Sequence, residues 1–516
     1  MTMSEINLNR RRLLANGALA GGAVVLGGGA LSACSSSGSS TSSSSRTLRV
    51  GVLGGGNAET LNFNSALSET DVARTAQIFE GLTTFDPSGK VVNRLAESLE
   101  PDVAGQVWTI RVKEATFHDG RPLRADDVLY SLQYMADPKN KADAAAALSL
   151  VDVPRCKKVD DRTVQVVLSR PNFLFPTLLG ERSVAIMPMG TKTFDKPIGT
   201  GPFKFDSFKP GDRSRFLRYE DYYGGAPKVE ELEIVSIDDA AARLNALRSG
   251  TVDVIAEVSP ELIKGAESGG VKLIQTTSGS FSTMYMRMSK APFTDVRVRQ
   301  AMRLLADREQ MIDNALFGAG SLGNDLSSPF DPYYATDLPQ RSYDPDQARS
   351  LLKAAGAEGL TVELHTSDAG LAMLQSSTLY AAQAAEAGVT VKLKKWPTSE
   401  YWSRAWLKEP FACSHWGGRP LISHLQLSAL PGASYNETDW HSPDFNKLVD
   451  TAVASADEGV RREALVDAQT MLHEEGGYVI WGFAKNVDAL NSRVQGITPS
   501  AIRPLGNYDF REASLS

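Results

Sequence analysis

In Trp416-Gly417-Gly418-Arg419-Pro420, a planar guanidinium follows an indole and two glycines, a combination suited to gripping a carboxylate or phosphate. The same arginine could instead pair with an acid of the protein and only shape a pocket. A second arginine sits in Tyr285-Met286-Arg287-Met288, where it could reach a ligand or lie by its stem over an apolar strand. Met284, Met286 and Met288 share one face at period two; three thioethers would suit a soft metal ion, but such a stripe is ordinarily core filler. His415 and His424 flank Trp416 without H-x-H or C-x-x-C spacing, so no metal is assigned to them. Trp396, Tyr401, Trp402, Trp406 and Trp416 could give a ligand apolar, sequence-tolerant contact. Trp402 and Trp406, one helical turn apart, are expected in the core.

Hydrolytic chemistry finds no foothold. There is no G-x-S-x-G elbow, and His473-Glu474-Glu475-Gly476 is a partial, wrongly spaced start of H-E-x-x-H. Asp119 with Asp126 or Asp127 could be proposed as paired carboxylates. Asp119-Gly120 instead fits a turn, and Asp126 and Asp127 fit the first turn of a helix, facing its dipole. A noncatalytic binder without a cofactor is the expectation.

These residues need a scaffold. Residues 47–53 read as a buried strand ending in Gly54-Gly55-Gly56-Asn57. Glu59 occupies the place where a dinucleotide fingerprint needs its third glycine, so a nucleotide is not expected there. The loop, with Asn57, nonetheless lies where ligands bind in open α/β sheets. Residues 360–366, 371–387 and 389–396 read as strand, helix and strand, a βαβ unit with a parallel pair. Val389, Val391 and Leu393 alternate with Lys392 and Lys394 in the last of these. Asp344-Pro345 caps a helix that Gly356 ends. Val298, Ala301, Met302 and Leu305 form the stripe of another, and Asp307 with Gln310 has capping-box spacing for a third. Residues 444–454 and 460–475 read as two more amphipathic helices before the strand-like 478–481.

The N-terminus reads as an address. Arg10-Arg11-Arg12-Leu13-Leu14 is a twin-arginine-type start, residues 15–30 are a weakly apolar Ala/Gly stretch, and Leu31-Ser32-Ala33-Cys34 is a lipobox. A signal peptide over 1–33, lipidation at Cys34 and a serine-rich tether over 34–46 are expected. Removing residues 1–33 takes the formal charge from −7 to −9, which gives no reason to expect nucleic acid. Cys156 and Cys413 are expected as unpaired thiols. A chain of 516 residues, 42% of them hydrophobic, exceeds the about 250–300 residues at which single cores stop growing, so several domains are expected.

Four ordered blocks resemble a known family. Phe117-His118-Asp119-Gly120-Arg121-Pro122-Leu123 with Asp126-Asp127-Val128 resembles the "F-x-D-G-x-P-L-x-A-x-D-V" signature of the peptide and nickel class of solute-binding proteins of ABC importers. Ile198-Gly199-Thr200-Gly201-Pro202-Phe203 is similar to that family's "GTGPF" block. Pro292-Phe293 with Val298-Arg299-Gln300-Ala301 and Asp307-Arg308 is similar to a third block, and Asp344-Pro345 through Ala355-Gly356 to a fourth.

The resemblance implies an α/β, periplasmic-binding-protein-like type II clamshell of two lobes with an extra α/β domain inserted in lobe I. Mapped by the blocks, lobe I spans 47–76, 185–284 and 484–516, the insert 77–184 and lobe II 285–483, with crossings near Met288 and Phe483. It further implies an exported, lipid-anchored monomer that closes over a small-molecule or peptide ligand and delivers it to a membrane permease. The family's peptide binders carry an aspartate in a "W-x-x-D" block that pairs with the peptide's amino group. Here Arg419 takes that place, and Arg287 stands where an asparagine is often found. An ammonium facing Arg419 would be repelled, so a peptide-like solute with an anionic group is the reading, with His415, Trp416, Gly417, Gly418, Arg419, Tyr285, Arg287 and Asn57 as its contacts. Some members carry a similar "W-x-G-R" block, which keeps peptides in view. Opines, nickel chelates or another non-peptide solute, and a role as a ligand sensor, stay open.

Overall fold

A computed structural model describes residues 46–54, 56–66 and 68–516. Arg10, Arg11 and Cys34 lie outside the described residues. None of the described helices is long and apolar enough to cross a membrane.

One eleven-stranded sheet runs through the chain. From one edge its order is Thr390–Lys395, Thr361–Thr366, Phe411–Trp416, Val271–Met286, Tyr478–Asn491, Val254–Ile255, Thr47–Val52, Glu231–Ser236, Arg213–Arg218 and Phe203–Phe208, with Gly320–Leu322 paired to Tyr478–Asn491. The two longest strands, Val271–Met286 and Tyr478–Asn491, are antiparallel neighbours in the middle. At one end they carry Val254–Ile255, which with Thr47–Val52 and Glu231–Ser236 makes a parallel core. At the other end Val271–Met286 carries Phe411–Trp416.

The long pair therefore joins two halves of the sheet. The ladder between its strands is interrupted between Thr277 and Phe281, and pairing with Phe411–Trp416 begins at Phe281. This change-over lies upstream of Met288, where the blocks had suggested the first crossing. Arg287 and Met288 fall beyond the end of the strand, in a turn held by hydrogen bonds to Pro410 and Thr438.

The βαβ reading holds: Thr361–Thr366 and Thr390–Lys395 pair in parallel, Val362 opposite Val391 and Leu364 opposite Leu393, joined by the helix Met373–Ala385. The second strand is the sheet's edge and is largely exposed, so its lysines serve less to face solvent from a half-buried strand than to discourage pairing by another chain. Asp344 accepts from the Gln347 N–H at 2.8 Å and caps Pro345–Ala354 as expected. Asp307 caps Arg308–Ala315 through the Gln310 N–H. The reciprocal half of that capping box comes from elsewhere, because the Asp307 N–H donates to Gln383 on Met373–Ala385.

The glycine loop is anchored by the residue that spoiled the nucleotide fingerprint. Glu59 and Arg74, both with fully buried side chains, pair at 2.6 Å. Glu59 also accepts from the Gly211 N–H and the Ser236 hydroxyl. Arg74 belongs to Glu69–Ile78, the helix that follows the loop and that Ser68 caps.

Along the chain, this helix is followed by a four-stranded antiparallel sheet, ordered Ala96–Pro101, Val107–Val112, Thr163–Val167 and Lys157–Lys158. The helix Ala125–Ala136 packs on it. Asp127 caps that helix, accepting from the Arg124 N–H and the Met189 N–H, while Asp126 pairs with Lys158. Cys156 and Cys413 are free thiols. Met284 and Met286 are fully buried in the core of the other half.

Candidate functional site

Strand Phe411–Trp416 ends at the junction of the two halves, with Trp416 opposite Phe281 and His415 opposite Ser282. The chain turns through Gly417 and Gly418, and Pro420 then admits the helix Leu421–Ser428. Gly418 permits a close approach: a Cβ there would stand 3.0 Å from the Ala501 carbonyl and 3.2 Å from that of Ile502, tighter than most Cβ contacts. Its N–H donates to Ser280, in the interrupted stretch of the long strand.

This turn aims Arg419 at the opposite half. Its Nη1 lies 3.4 Å from Glu181 Oε2, while Arg419 Nε and Glu181 Oε1 are buried without partners. Arg419 lines a cavity of about 800 Å³ together with Glu181, Arg182, Arg503 and Tyr508. Arg94 and Arg511 line it as well, so five guanidinium groups border it. Burial, with Arg503 and Arg419 adding repulsion, pushes Arg182 down to about 10. Arg503 is held by Glu69 at 3.0 Å, and Arg182 by the Ala66 carbonyl and more loosely by Asp143.

His415 opens onto solvent; desolvation lowers its pKa while the charge of Glu69 in the opposite half acts against it. Its ring meets Trp402 edge-on at 5.4 Å. Trp416 is buried and donates its indole N–H to Glu437 at 3.0 Å. The same carboxylate accepts from Tyr478 at 2.8 Å and from the Trp406 indole. Glu437 is fully buried, and that burial raises its pKa against the pull of these hydrogen bonds. Tyr435 packs on both Trp406 and Trp416. Trp402 and Trp406, expected in the core, are half-buried between the core and this aromatic wall.

The structure thus brings His415, Trp416, Gly417, Gly418 and Arg419 together and leaves other expected contacts out. Tyr285 is fully buried, its hydroxyl accepting from the Leu407 N–H at 3.0 Å. Arg287 is occupied by Asp439, by way of both Nε and Nη2, and by the Leu407 carbonyl, so it offers nothing to a ligand. Asn57 is exposed on the turn Gly56–Ala58 and makes no hydrogen bond to residues 415–419. His424 is buried behind Trp416, ring centroids 4.5 Å apart, and its pKa is lowered to about 3 by burial and Arg419. Among the described residues no group of three or more His, Cys, Asp or Glu is placed to hold a metal ion. Sequence reasoning missed Glu181, Arg182, Arg503, Glu69 and Glu437, whose roles come from contacts distant along the chain and leave no local signature.

Known proteins resemble this chain in sequence and in fold. A family model described as bacterial extracellular solute-binding proteins, family 5 middle, matches residues 90–434. The chain is 26% identical over 493 residues to the dipeptide-binding protein of Escherichia coli K12, covering 85% of this chain and 92% of that one. Its fold superposes with a TM-score of 0.77 on DppA of Helicobacter pylori in complex with the peptide STSA, at 20% identity over 91% of this chain and 98% of that one. The TM-score is also 0.77 for AgaA of A. tumefaciens R10 in complex with agropinic acid, at 24% identity over 91% and 99%.

Proposed function

The chain belongs to family 5 of the bacterial extracellular solute-binding proteins, and we propose that this member captures short peptides or peptide-like anionic solutes outside the cytoplasm. The family's members are transport binding proteins and not enzymes, and the fold is of the type II periplasmic-binding-protein class. Two lobes close over the ligand and present it to the permease of an ABC importer. The hinge is assigned to residues 278–280 of the first long strand and to the stretch of the second after Phe483. Closure is driven by ligand contacts made to both lobes in the closed form and to one in the open form.

One observation carries the choice of ligand: Arg419 reaches across the junction into a cavity of about 800 Å³. Such a volume suits a drug-sized or short-peptide solute. A guanidinium with one nitrogen unpartnered and only a long contact to Glu181 has capacity left for a ligand carboxylate. The relatives named for dipeptides support a peptide.

Native mass spectrometry of the purified protein, followed by thermal-shift measurement with di- to pentapeptides, tests the reading. A ligand at about 100 times its Kd adds about 2.7 kcal/mol. Arg419→Ala should abolish that gain for carboxylate-bearing ligands, and an undiminished shift would remove Arg419 from the site. The reading extends to twin-arginine export, a lipid anchor at Cys34 and a monomeric state. Cys34→Ser should release the protein from the membrane fraction, and continued sedimentation with membranes would refute the anchor. Light scattering that gives twice the chain mass would refute the monomer.

A further inference from the structure

The capture reading gives residues 77–184 no task beyond lining part of the cavity. Their contacts with residues 285–483 point to one. The half-buried ring of Phe330 lies between two glycines: a Cβ on Gly89 would stand 2.4 Å from Phe330 Cδ2, and a Cβ on Gly279 would stand 2.4 Å from Cε1, on the opposite edge of the ring. Neither place admits a side chain while the ring is there. Gly89, with φ +92, belongs to a turn that Asp86 builds by accepting from the N–H groups of Ser88 and Lys90. Gly279 belongs to the stretch assigned as the hinge. Ala501 ties the two together, its N–H donating to the Pro87 carbonyl at 3.0 Å and its carbonyl accepting from the Gly279 N–H at 3.1 Å. On its own side Phe330 is anchored by its neighbour Asp331, which accepts from the Leu421 N–H at 2.8 Å, at the start of the helix that follows Arg419.

Further contacts join the same two parts of the chain. The Phe173 N–H donates to the Val453 carbonyl at 2.7 Å, beside the ion pair of Arg170 with Asp450. Gln426 donates through Nε2 to the Ala146 carbonyl at 2.5 Å. The helices Phe175–Leu179 and Leu421–Ser428 pack on each other, with Leu178 and Leu425 in one core. Phe330, Ala146, Phe173, Arg170, Gln426, Asp450 and Val453 do not line the cavity.

We propose that the segment 77–184 is a clasp, which holds the two lobes closed through Phe330, the Arg170–Phe173 stretch and the Gln426–Ala146 bond without needing a ligand. The assignment rests on the capture reading above and adds to it a closing force that belongs to the protein alone. Its weight falls on the ring. The Arg170 and Asp450 side chains are 47% and 55% exposed, a pair that water and salt leave weak, whereas an aromatic ring fitted between backbone atoms is the kind of anchor that dominates an interface.

A clasp and a ligand contact leave different marks. Apparent Kd is the intrinsic Kd divided by the fraction of molecules able to hold the ligand, so contacts that favour closure tighten every ligand by the same factor. A side chain that touches the ligand tightens only those that carry the matching group. Phe330, outside the cavity, and Arg419, inside it, are therefore separable by ligand chemistry.

The test places paired spin labels, on non-natural residues, at the exposed positions Val103 and Val460. Their distance is measured in protein refolded from denaturant to strip any ligand, and again during titration with an equimolar pool of random tripeptides or its C-amidated form. The proposal expects a closed population of at least about a tenth in ligand-free wild type. Phe330→Ala should reduce that population and raise the concentration for half closure about tenfold, and Arg170→Glu about threefold, each by one factor for both pools. Arg419→Ala should penalise the free pool alone. Arg170→Glu changes an exposed pair and decides the matter if Phe330→Ala fails to fold. A ligand-free wild type with no closed population, variants that close like wild type, or factors that differ between the two pools would overturn the clasp. If neither pool raises the closed fraction of wild type, the peptide reading fails, and the ligand-free distances still decide the clasp.

Discussion

Arg287 and Asp439 form a two-pronged ion pair, Nε to Oδ2 at 2.9 Å with Nη2 on Oδ1, and each side chain is 16% exposed. Asp439 adopts a left-handed φ of +54 and also accepts from Ser289. Two residues earlier on the same loop, Glu437 sits beneath Trp406 and Trp416. The arginine expected to meet a ligand thus fastens the loop that supports the aromatic wall.

Arg287→Ala should therefore act on stability. It removes charge-assisted hydrogen bonds from a partly buried carboxylate, at a cost of about 2 kcal/mol. Arg287→Lys should recover less than half of it, because an ammonium cannot reproduce the planar fork. Urea denaturation measures both. Retained stability together with a collapse in ligand affinity would return Arg287 to the binding site.

Glu437 gives a pH signature. All its named partners are neutral donors, and burial raises its pKa. An acid raised in this way contributes stability that is fully present below the ordinary glutamate pKa of about 4.3 and is lost as pH rises through its folded value. Glu437→Gln removes that dependence and turns an amide N–H toward donors, costing about 1–3 kcal/mol. The gap in unfolding free energy between wild type and variant should narrow as pH is raised, with a change in tryptophan emission from the reoriented indoles. A gap that widens with pH would contradict the assignment.

Elements with local signatures were legible. Asp344-Pro345 and Gly356 bound a helix because caps and φ preferences act within a few residues, and the parallel pair around Met373–Ala385 follows from periodicity and a short crossover. The Trp416–Arg419 turn was legible as chemistry, though not its target: Glu181 is far from Arg419 in sequence and the two meet only at the junction of the halves. Glu59 read only as a missing glycine, whereas its buried pairing with Arg74, Gly211 and Ser236 makes it the loop's anchor. Arg287 misled for a related reason, since a charge on a strand end reads the same whether it faces a ligand or a loop that folds back on it. Long-range satisfaction of buried polar groups is obligatory, but sequence spacing does not name the partner.

The Arg419–Glu181 contact supplies the last prediction. At 3.4 Å, with Glu181 Oε1 and Arg419 Nε both unpartnered, it is a weak pair that an incoming carboxylate can replace, because a ligand aligned on the guanidinium makes two parallel hydrogen bonds where Glu181 makes one. Glu181 is then a competitor for the binding arginine. Glu181→Gln should tighten carboxylate-bearing tripeptides by about fivefold, equivalent to about 1 kcal/mol for a partly exposed ion pair. C-amidated tripeptides, which present no anion to Arg419, should show no such gain. Paired titrations of the two peptide forms read the difference directly, and equal gains for both, or weaker binding of the free acids, would mean that Glu181 supports the ligand site and does not compete for it.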